Sequence, residues 1–164
     1  MKKSIFILAL ATIFLGLQAQ EKEEIKLYDP DLDGMEQIDK AVEAASASGK
    51  HVFVQVGGNW CGWCILFDKF VKEDAELQNL INDNYEVIHL NWSRENKNEE
   101  SMERLGFPGR FGYPVFVILD GKGQRIHTQN SALLEEGKGY NRKDVINFFK
   151  SWTAEAVDPA SYKD

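Results

Sequence analysis

Two cysteines three positions apart are the residues of this sequence best suited to covalent chemistry. Cys61 and Cys64 are the only cysteines among the 164 residues, and they follow an apolar stretch, residues 51–56, that is typical of a buried strand. If Cys61 caps a helix that begins there, the free N–H groups and the dipole of the first turn stabilise a thiolate and lower its pKa from about 8.5. Cys64 then lies on the same side of that turn, within reach of a mixed disulfide on Cys61. The spacing predicts a dithiol–disulfide cycle in which Cys61 is the exposed nucleophile and Cys64 the resolving thiol.

Other uses of two cysteines fit the sequence less well. A structural disulfide across so short a loop restricts the unfolded chain very little. Zinc needs more ligands than two thiols, and His51, His89 and His127 show no metal-type spacing, so we expect no metal site. Covalent haem attachment would need a histidine directly after the second cysteine, where Ile65 stands.

The N-terminus has the parts of a secretory signal. Two lysines precede an apolar run over residues 5–17, and small residues around Ala19 follow it. We expect cleavage after about Ala19 and export to the periplasm of a Gram-negative-type cell. An uncleaved anchor is the alternative, although the run is short for a spanning helix and the charged residues 21–24 follow at once.

Charge and length limit the class of protein. Removal of residues 1–19, which contain two lysines and no acid, changes the net charge from −7 to −9. Such a charge argues against nucleic acid as a partner and against binding to anionic lipid surfaces. The remaining chain has the length of one domain, and the whole sequence is 43% hydrophobic, which suits a single core.

The elements that must position the cysteines follow from the pattern of apolar residues. Helical spacing predicts one helix over residues 35–45 and a second directly after the cysteine motif. It predicts three more helices, over residues 75–81, 101–105 and 145–152. Extended runs predict strands over residues 51–56, 85–92 and 115–119, the last of which turns at residues 120–123 into a hairpin with 124–127. The charged residues 94–100 are interpreted as a solvated face.

Two motifs in this order resemble the thioredoxin-like superfamily. The first is Trp60-Cys61-Gly62-Trp63-Cys64 after a core strand, and the second is the Gly-rich stretch 109–114 before the next strand. The resemblance implies an α/β fold with a central mixed β-sheet flanked by helices, and a cis-Pro before a core strand. It covers residues 35–155 as one domain, after a signal peptide at 1–19 and an N-terminal segment at 20–34, and before a C-terminal tail at 156–164.

The resemblance also assigns roles to residues near the cysteines. It implies a cis bond between Tyr113 and Pro114, which then border the substrate groove. Because Pro114 has no N–H, the neighbouring backbone of Tyr113 is left free to pair with an extended substrate segment. Trp60 is expected to shield the motif and pack against the fold. Trp63 is expected to cover part of the substrate-facing surface.

The chain departs from thioredoxin itself at three positions. Gln55 stands where thioredoxins have a buried aspartate, and His89 where its lysine partner is common. Gln55 cannot take a proton, so His89 is a candidate for proton handling, unless it is a neutral histidine of the core. Water that passes Gly57 and Gly58 is the alternative proton route. Trp63 replaces proline between the cysteines, where the dipeptide helps to set the redox potential, so thioredoxin's own potential is not transferred.

The sequence therefore predicts an exported thiol–disulfide oxidoreductase that reduces or exchanges disulfides in other exported proteins without a bound cofactor. Its partners are expected to be protein substrates with disulfides or thiols, and a membrane or soluble redox partner that recycles the pair. Reduction or isomerisation is favoured over oxidation, because no histidine or cationic residue lies between or directly beside the cysteines. A thioredoxin-like binding or chaperone module with peripheral thiols is the alternative, and metal delivery is a third. The sequence does not indicate an oligomeric state.

Overall fold

A four-stranded mixed sheet forms the centre of the computed structural model, which describes residues 26–163. β1 (His51–Gly57) pairs in parallel with β2 (Tyr85–Asn91) and antiparallel with β3 (Val115–Leu119). β4 (Arg125–Asn130) pairs antiparallel with β3 and completes the order β2–β1–β3–β4. Every residue of β1 and β3 is buried, so these two strands form the middle of the core. The expected thioredoxin-like α/β fold is confirmed.

Helices flank this sheet, and side chains cap most of them. α1 (Gly34–Ser48) begins after Asp33, whose carboxylate accepts hydrogen bonds from two N–H groups of the first turn. It ends at Gly49, which takes the left-handed conformation with φ 70°, where glycine is favoured. The remaining helices are α2 (Gly62–Lys72), α3 (Ala75–Asn84), α4 (Glu99–Arg104), α5 (Arg142–Ser151) and α6 (Ala154–Val157).

Side-chain alternation along β1 divides the core into two halves and places Gln55. Val52, Val54 and Val56 point to the face covered by α1 and α4. Phe53 and Gln55 point to the opposite face, where Phe53 packs with residues of α2, α3 and α5. Gln55 is therefore directed towards α2, the helix that begins at the cysteine motif.

Hydrogen bonds attach the segment before α1 to the domain. Asn96 donates from Nδ2 to the carbonyl oxygen of Pro30 at 2.9 Å, and Asn98 Oδ1 accepts from the Gly34 N–H at 2.9 Å. Both asparagines lie in the charged stretch after β2, which was interpreted as a solvated face. Its charged side chains are exposed, but its asparagines bond Pro30 in the segment before α1 and Gly34 at the start of α1.

Most predicted elements are present with small shifts of their ends. The predicted hairpin corresponds to β3 and β4, and α3 extends three residues beyond its predicted end, to Asn84. The short pair β5 (Glu135–Glu136) and β6 (Gly139–Tyr140) was not predicted. The predicted signal peptide lies outside the described residues. Within residues 26–163, no helix combines the length and the apolar character that crossing a membrane requires.

Candidate active site

The two cysteines lie at the N-terminus of α2 and are joined by a disulfide. Cys61 is the N-cap of this helix, and its Sγ accepts a hydrogen bond from the Cys64 N–H at 3.2 Å. Its carbonyl oxygen accepts the N–H groups of Cys64 and Ile65, so the motif forms the first turn. The Cys64 N–H of the first turn therefore points at the Cys61 sulfur, and with the helix dipole it favours negative charge on that sulfur, as the sequence predicted.

The disulfide is more enclosed than the sequence suggested. Cys61 is 4% exposed and Cys64 is fully buried, whereas Cys61 was expected to be an exposed sulfur. The cause is a set of side chains around the pair, since Tyr28 belongs to the same buried cluster and Trp63 and Tyr113 pack against it. Cys61 is still the more accessible of the two residues. Its role as nucleophile and that of Cys64 as resolving thiol stay predictions.

Gln55 connects the sheet to the cysteine helix. Its Nε2 donates one hydrogen bond to the carbonyl oxygen of Cys64, at 3.1 Å, and one to the hydroxyl oxygen of Tyr28, at 2.7 Å. A carbonyl oxygen only accepts, so the group beside it must be the amide nitrogen rather than the amide oxygen. The position that holds an acid in thioredoxins is thus occupied by a neutral donor whose two N–H groups are both used.

Tyr28 is the residue of this site that the sequence analysis missed. It was placed in the N-terminal segment outside the predicted domain, yet it is only 1% exposed and belongs to the same buried cluster as both cysteines. Asn59, two residues before Cys61, holds its backbone. Asn59 Oδ1 accepts the Tyr28 N–H at 2.9 Å, and Asn59 Nδ2 donates to the Tyr28 carbonyl oxygen at 2.8 Å. A single tyrosine in a charged segment gives no periodic signal, so the sequence offered no reason to select it.

Gly57 provides the space in which Tyr28 and Cys64 meet. A Cβ atom at this position would lie 2.5 Å from Cys64 Sγ and 2.8 Å from the Tyr28 hydroxyl oxygen. The sulfur and the hydroxyl oxygen are therefore no more than about 5.3 Å apart across the bare backbone of Gly57. Burial raises the pKa of Tyr28 far above its ordinary value, so its hydroxyl keeps its proton at neutral pH.

His89 lies next to Tyr28 rather than at the cysteines. Its ring packs edge-on against the Tyr28 ring, with centroids 5.6 Å apart. Burial lowers the pKa of His89, Asp68 opposes this shift and Lys72 adds to it. A cavity of about 220 Å³ is lined by His89, Asp68 and Lys72 together with Gln55. The lowered pKa favours the neutral form of His89 at pH 7. The part of His89 in proton handling stays a prediction.

A cluster of three aromatic rings, Trp60, Trp92 and Tyr113, borders the disulfide through Tyr113. Trp60 is 55% exposed and donates from Nε1 to the carbonyl oxygen of Trp92 at 2.8 Å. Trp92 stacks on Tyr113 with centroids 5.1 Å apart, and Trp60 packs edge-on against Tyr113 at 5.5 Å. The Tyr113–Pro114 bond is cis and Pro114 is buried directly before β3. A groove of about 720 Å³, lined by Trp60, Trp92 and Asn59 among others, borders this cluster.

Trp60 and Trp63 differ in exposure. Trp60 packs against Trp92 and Tyr113 but leaves 55% of its surface exposed, and its expected shielding of the motif stays a prediction. Trp63 is partly buried, with its ring edge-on to Tyr140 at 5.6 Å, and its carbonyl oxygen accepts from the Tyr140 hydroxyl at 3.2 Å. Trp60 is therefore the better candidate for contact with a substrate, because its ring is open to solvent.

The other histidines lie in structural positions. The Nδ1 atom of His51 is 2.8 Å from the carbonyl oxygen of Trp152, and His127 stacks on the Trp152 ring with centroids 4.2 Å apart. Within residues 26–163, no three side chains of histidine, cysteine, aspartate or glutamate are arranged to hold a metal ion.

The helix-capping cysteine pair on this sheet defines a thioredoxin-like disulfide oxidoreductase fold with a CxxC pair. A family model described as thioredoxin-like matches residues 33–121, and the chain belongs to this family. No curated protein matches the sequence.

Solved structures show the same fold. A disulphide isomerase from Xylella fastidiosa Temecula1 is similar at 25% identity with a TM-score of 0.67, over 76% of this chain and 94% of that one. A thioredoxin from Thermus thermophilus is similar at 19% identity and a TM-score of 0.55, over 76% of this chain and 88% of that one. A protein described as DsbH oxidoreductase is similar at 17% identity and a TM-score of 0.51, over 87% and 96% of the two chains. The last two likenesses concern the fold alone.

Proposed function

We propose that this protein is an exported thiol–disulfide oxidoreductase that reduces or exchanges disulfides in other exported proteins. The observation that carries the proposal is the position of Cys61 as N-cap of α2, with Cys64 in the following turn and within disulfide distance. Helix N-termini of this kind stabilise a thiolate, which is the reactive form in disulfide exchange.

The cycle needs only the two cysteines and a substrate disulfide. The Cys61 thiolate attacks one substrate sulfur, the substrate S–S bond breaks, a mixed disulfide forms, and the other substrate sulfur leaves as a thiolate that takes up a proton when it becomes a thiol. The Cys64 thiol loses its proton, and its thiolate then attacks Cys61 Sγ. The new bond between Cys61 and Cys64 forms as the bond to the substrate breaks, and the released substrate thiolate takes up a proton from solvent. The substrate gains two electrons and the protein is left as the disulfide.

The aromatic cluster supports a protein substrate. The exposed ring of Trp60 offers apolar contact beside the disulfide, and the cis peptide of Tyr113 and Pro114 lies next to it. An extended segment that pairs with the backbone of Tyr113 would hold its disulfide near Cys61. The groove by Trp60 and Trp92 gives such a segment room to continue.

Export is supported by the N-terminal sequence alone. The lysines, the apolar run and the small residues around Ala19 have the order of a cleaved secretory signal. In the periplasm the oxidised pair needs a reductant, so the proposal includes a membrane or soluble redox partner that returns it to the dithiol. The direction is proposed as reductive or isomerising. The lysines of α2, Lys69 and Lys72, lie in its last turn, so the helix terminus is left as the main source of stabilisation for the Cys61 thiolate.

A trapping experiment tests the proposal. We expect the Cys64→Ser protein, expressed in its natural compartment, to retain mixed disulfides with exported proteins, because Cys61 still attacks but nothing releases the product. The matched control is Cys61→Ser, which should trap few or none. An empty Cys64→Ser trap would contradict the proposed function. If a chain with both cysteines replaced by serine still performed the protein's task in the cell, that result would also contradict it and would favour a binding module.

A further inference from the structure

The N-terminal segment brings a hydroxyl group to the resolving cysteine. Tyr28 precedes the matched family region, residues 33–121, yet its ring is buried in one cluster with Cys61 and Cys64. Asn59 fixes the segment by bonding both the N–H and the carbonyl oxygen of Tyr28. This two-point attachment lies directly before the cysteine motif, so the position of Tyr28 is tied to that of the disulfide.

The hydrogen-bond directions leave the Tyr28 proton free to be donated. The Cys64 carbonyl oxygen requires a donor, so the Gln55 group beside it is the amide nitrogen. Its second N–H then points at the Tyr28 hydroxyl oxygen, which accepts that bond. A hydroxyl that accepts from Gln55 still has one hydrogen to give. The space over Gly57 is where the Tyr28 hydroxyl and the Cys64 sulfur approach each other.

We propose that Tyr28 is a catalytic group of the resolving step, whose hydroxyl donates a hydrogen bond to the Cys64 sulfur in the reduced protein and stabilises its thiolate. Breaking the disulfide frees the Cys64 side chain to turn about its Cα–Cβ bond towards the hydroxyl. Tyr28 keeps its own proton throughout. The proton of the Cys64 thiol leaves to solvent, and the Cys64 thiolate then attacks Cys61 Sγ as described above. This role rests on the proposed function, because resolution is a step of that cycle.

The surroundings of Cys64 hold few groups that could replace Tyr28. Asp68 and Lys72 on α2 and His89 on β2 line the cavity behind Gln55. Burial leaves His89 favouring its neutral form, and its contact is with the ring of Tyr28. Tyr113 packs on the cysteine cluster from the side of β3, and its hydroxyl lies close to Gly109, where a Cβ would be 2.5 Å from it. Among these groups, Tyr28 is therefore the one whose hydroxyl faces the Cys64 sulfur.

The test measures the pKa of Cys64 directly. In the Cys61→Ser chain, labelled with ¹³C at the cysteine Cβ, NMR titration reports the ionisation of Cys64 without any substrate. We expect Tyr28→Phe to raise this pKa by about one unit, because a hydrogen bond to a charged group is lost. In the chain with both cysteines, the same substitution should slow resolution of a mixed disulfide at pH 7 about three- to fourfold, because the thiolate fraction falls while the intrinsic nucleophilicity of the thiolate rises. The pKa of Cys61 should stay unchanged.

Tyr85→Phe is the matched control. Tyr85 is also a buried tyrosine whose hydroxyl donates one hydrogen bond, to the Phe149 carbonyl oxygen at 2.6 Å. Tyr85→Phe should lower the free energy of unfolding about as much as Tyr28→Phe does, and it should leave the pKa of Cys64 unchanged. Asn59→Leu is a second variant that keeps the phenol but removes its attachment, and we expect it to shift the Cys64 pKa in the same direction.

The outcomes separate the two proposals. An identical Cys64 titration in Tyr28→Phe and its parent, or an equal shift in Tyr85→Phe, overturns the role of Tyr28. If Tyr28→Phe shifts the pKa but the unaltered protein exchanges no disulfides, the hydrogen bond is supported and the proposed function fails.

Discussion

The side-chain amide of Gln55 donates a hydrogen bond to the carbonyl oxygen of Cys64 across 3.1 Å. This bond ties the central strand β1 to the first turn of α2, where the disulfide lies. Because both N–H groups of the amide are used and neither titrates, the junction stays bonded at any pH at which the protein is folded. An acid at this position would carry a proton at low pH and a costly buried charge at high pH.

Loss of the Gln55 amide should destabilise the protein. We expect Gln55→Leu to lower the free energy of unfolding by about 2 kcal/mol, because the buried hydroxyl of Tyr28 loses its donor and the tie to α2 is broken. Urea unfolding followed by tryptophan fluorescence measures this loss. The control is Gln78→Leu, which removes an exposed amide bonded to the Lys72 carbonyl oxygen and should cost less than about 0.5 kcal/mol. Equal losses in both variants would contradict this assignment.

Gly57 is required for its lack of a side chain. We expect Gly57→Ala to lower the free energy of unfolding by about 1–3 kcal/mol, because the added methyl group would clash with Cys64 Sγ and the Tyr28 hydroxyl. Gly62→Ala is the control, since a Cβ there meets nothing within 4 Å and alanine favours the helix. Its stability should be unchanged or slightly higher. A Gly57→Ala protein as stable as the parent would show that the space is not tightly filled.

His89 should make stability depend on pH below its ordinary pKa of 6.5. Burial lowers the pKa of His89 in the folded state, so on acidification the unfolded chain takes up a proton before the folded one does. The stability that comes from keeping His89 neutral is fully present above pH 6.5, and it is lost as the pH falls towards the lowered pKa of the folded state. We expect the parent to lose more free energy of unfolding than His89→Gln between pH 7.5 and pH 5.5. Parallel losses in the two proteins would mean that His89 titrates alike in both states.

Trp60 should contribute to substrate binding and little to folding. We expect Trp60→Ala to raise KM for reduction of an unfolded disulfide-containing protein about fivefold or more, because a large apolar contact worth about 1 kcal/mol or more is lost. The melting temperature should change little, since the ring is 55% exposed. Tyr162→Ala, which removes a 74% exposed ring in the C-terminal tail, is the control and should leave KM unchanged. An unchanged KM in Trp60→Ala would remove the aromatic cluster from the substrate site.

The parts of the fold that were predicted have strong local signals. The apolar residues of β1 and β3, the hairpin turn before β4 and the apolar spacing of α5 each have the period of their element. The capping position of Cys61 followed from the strand before it and the spacing of the cysteines. These features depend on neighbouring residues, so the sequence alone was sufficient.

The missed features depend on contacts between distant residues. Tyr28 bonds Asn59 and Gln55, 31 and 27 positions away, and nothing in its own segment indicates that it is buried. Trp60 donates a hydrogen bond to the carbonyl oxygen of Trp92, 32 positions later. The enclosure of Cys61 also depends on distant contacts, because Tyr28 of the N-terminal segment and Tyr113 of the loop before β3 pack in its cluster.

The redox equilibrium of the cysteine pair tests the central claim most directly. The purified protein is equilibrated in glutathione buffers of graded ratio, its thiols are trapped with acid and alkylated, and the fraction of disulfide is measured. We predict one reversible two-electron transition between Cys61 and Cys64, with a potential between about −270 and −180 mV. A potential as oxidising as about −120 mV would contradict the reductive or isomerising direction. A pair that stays fully oxidised or fully reduced in every buffer would contradict the account of a cycling dithiol.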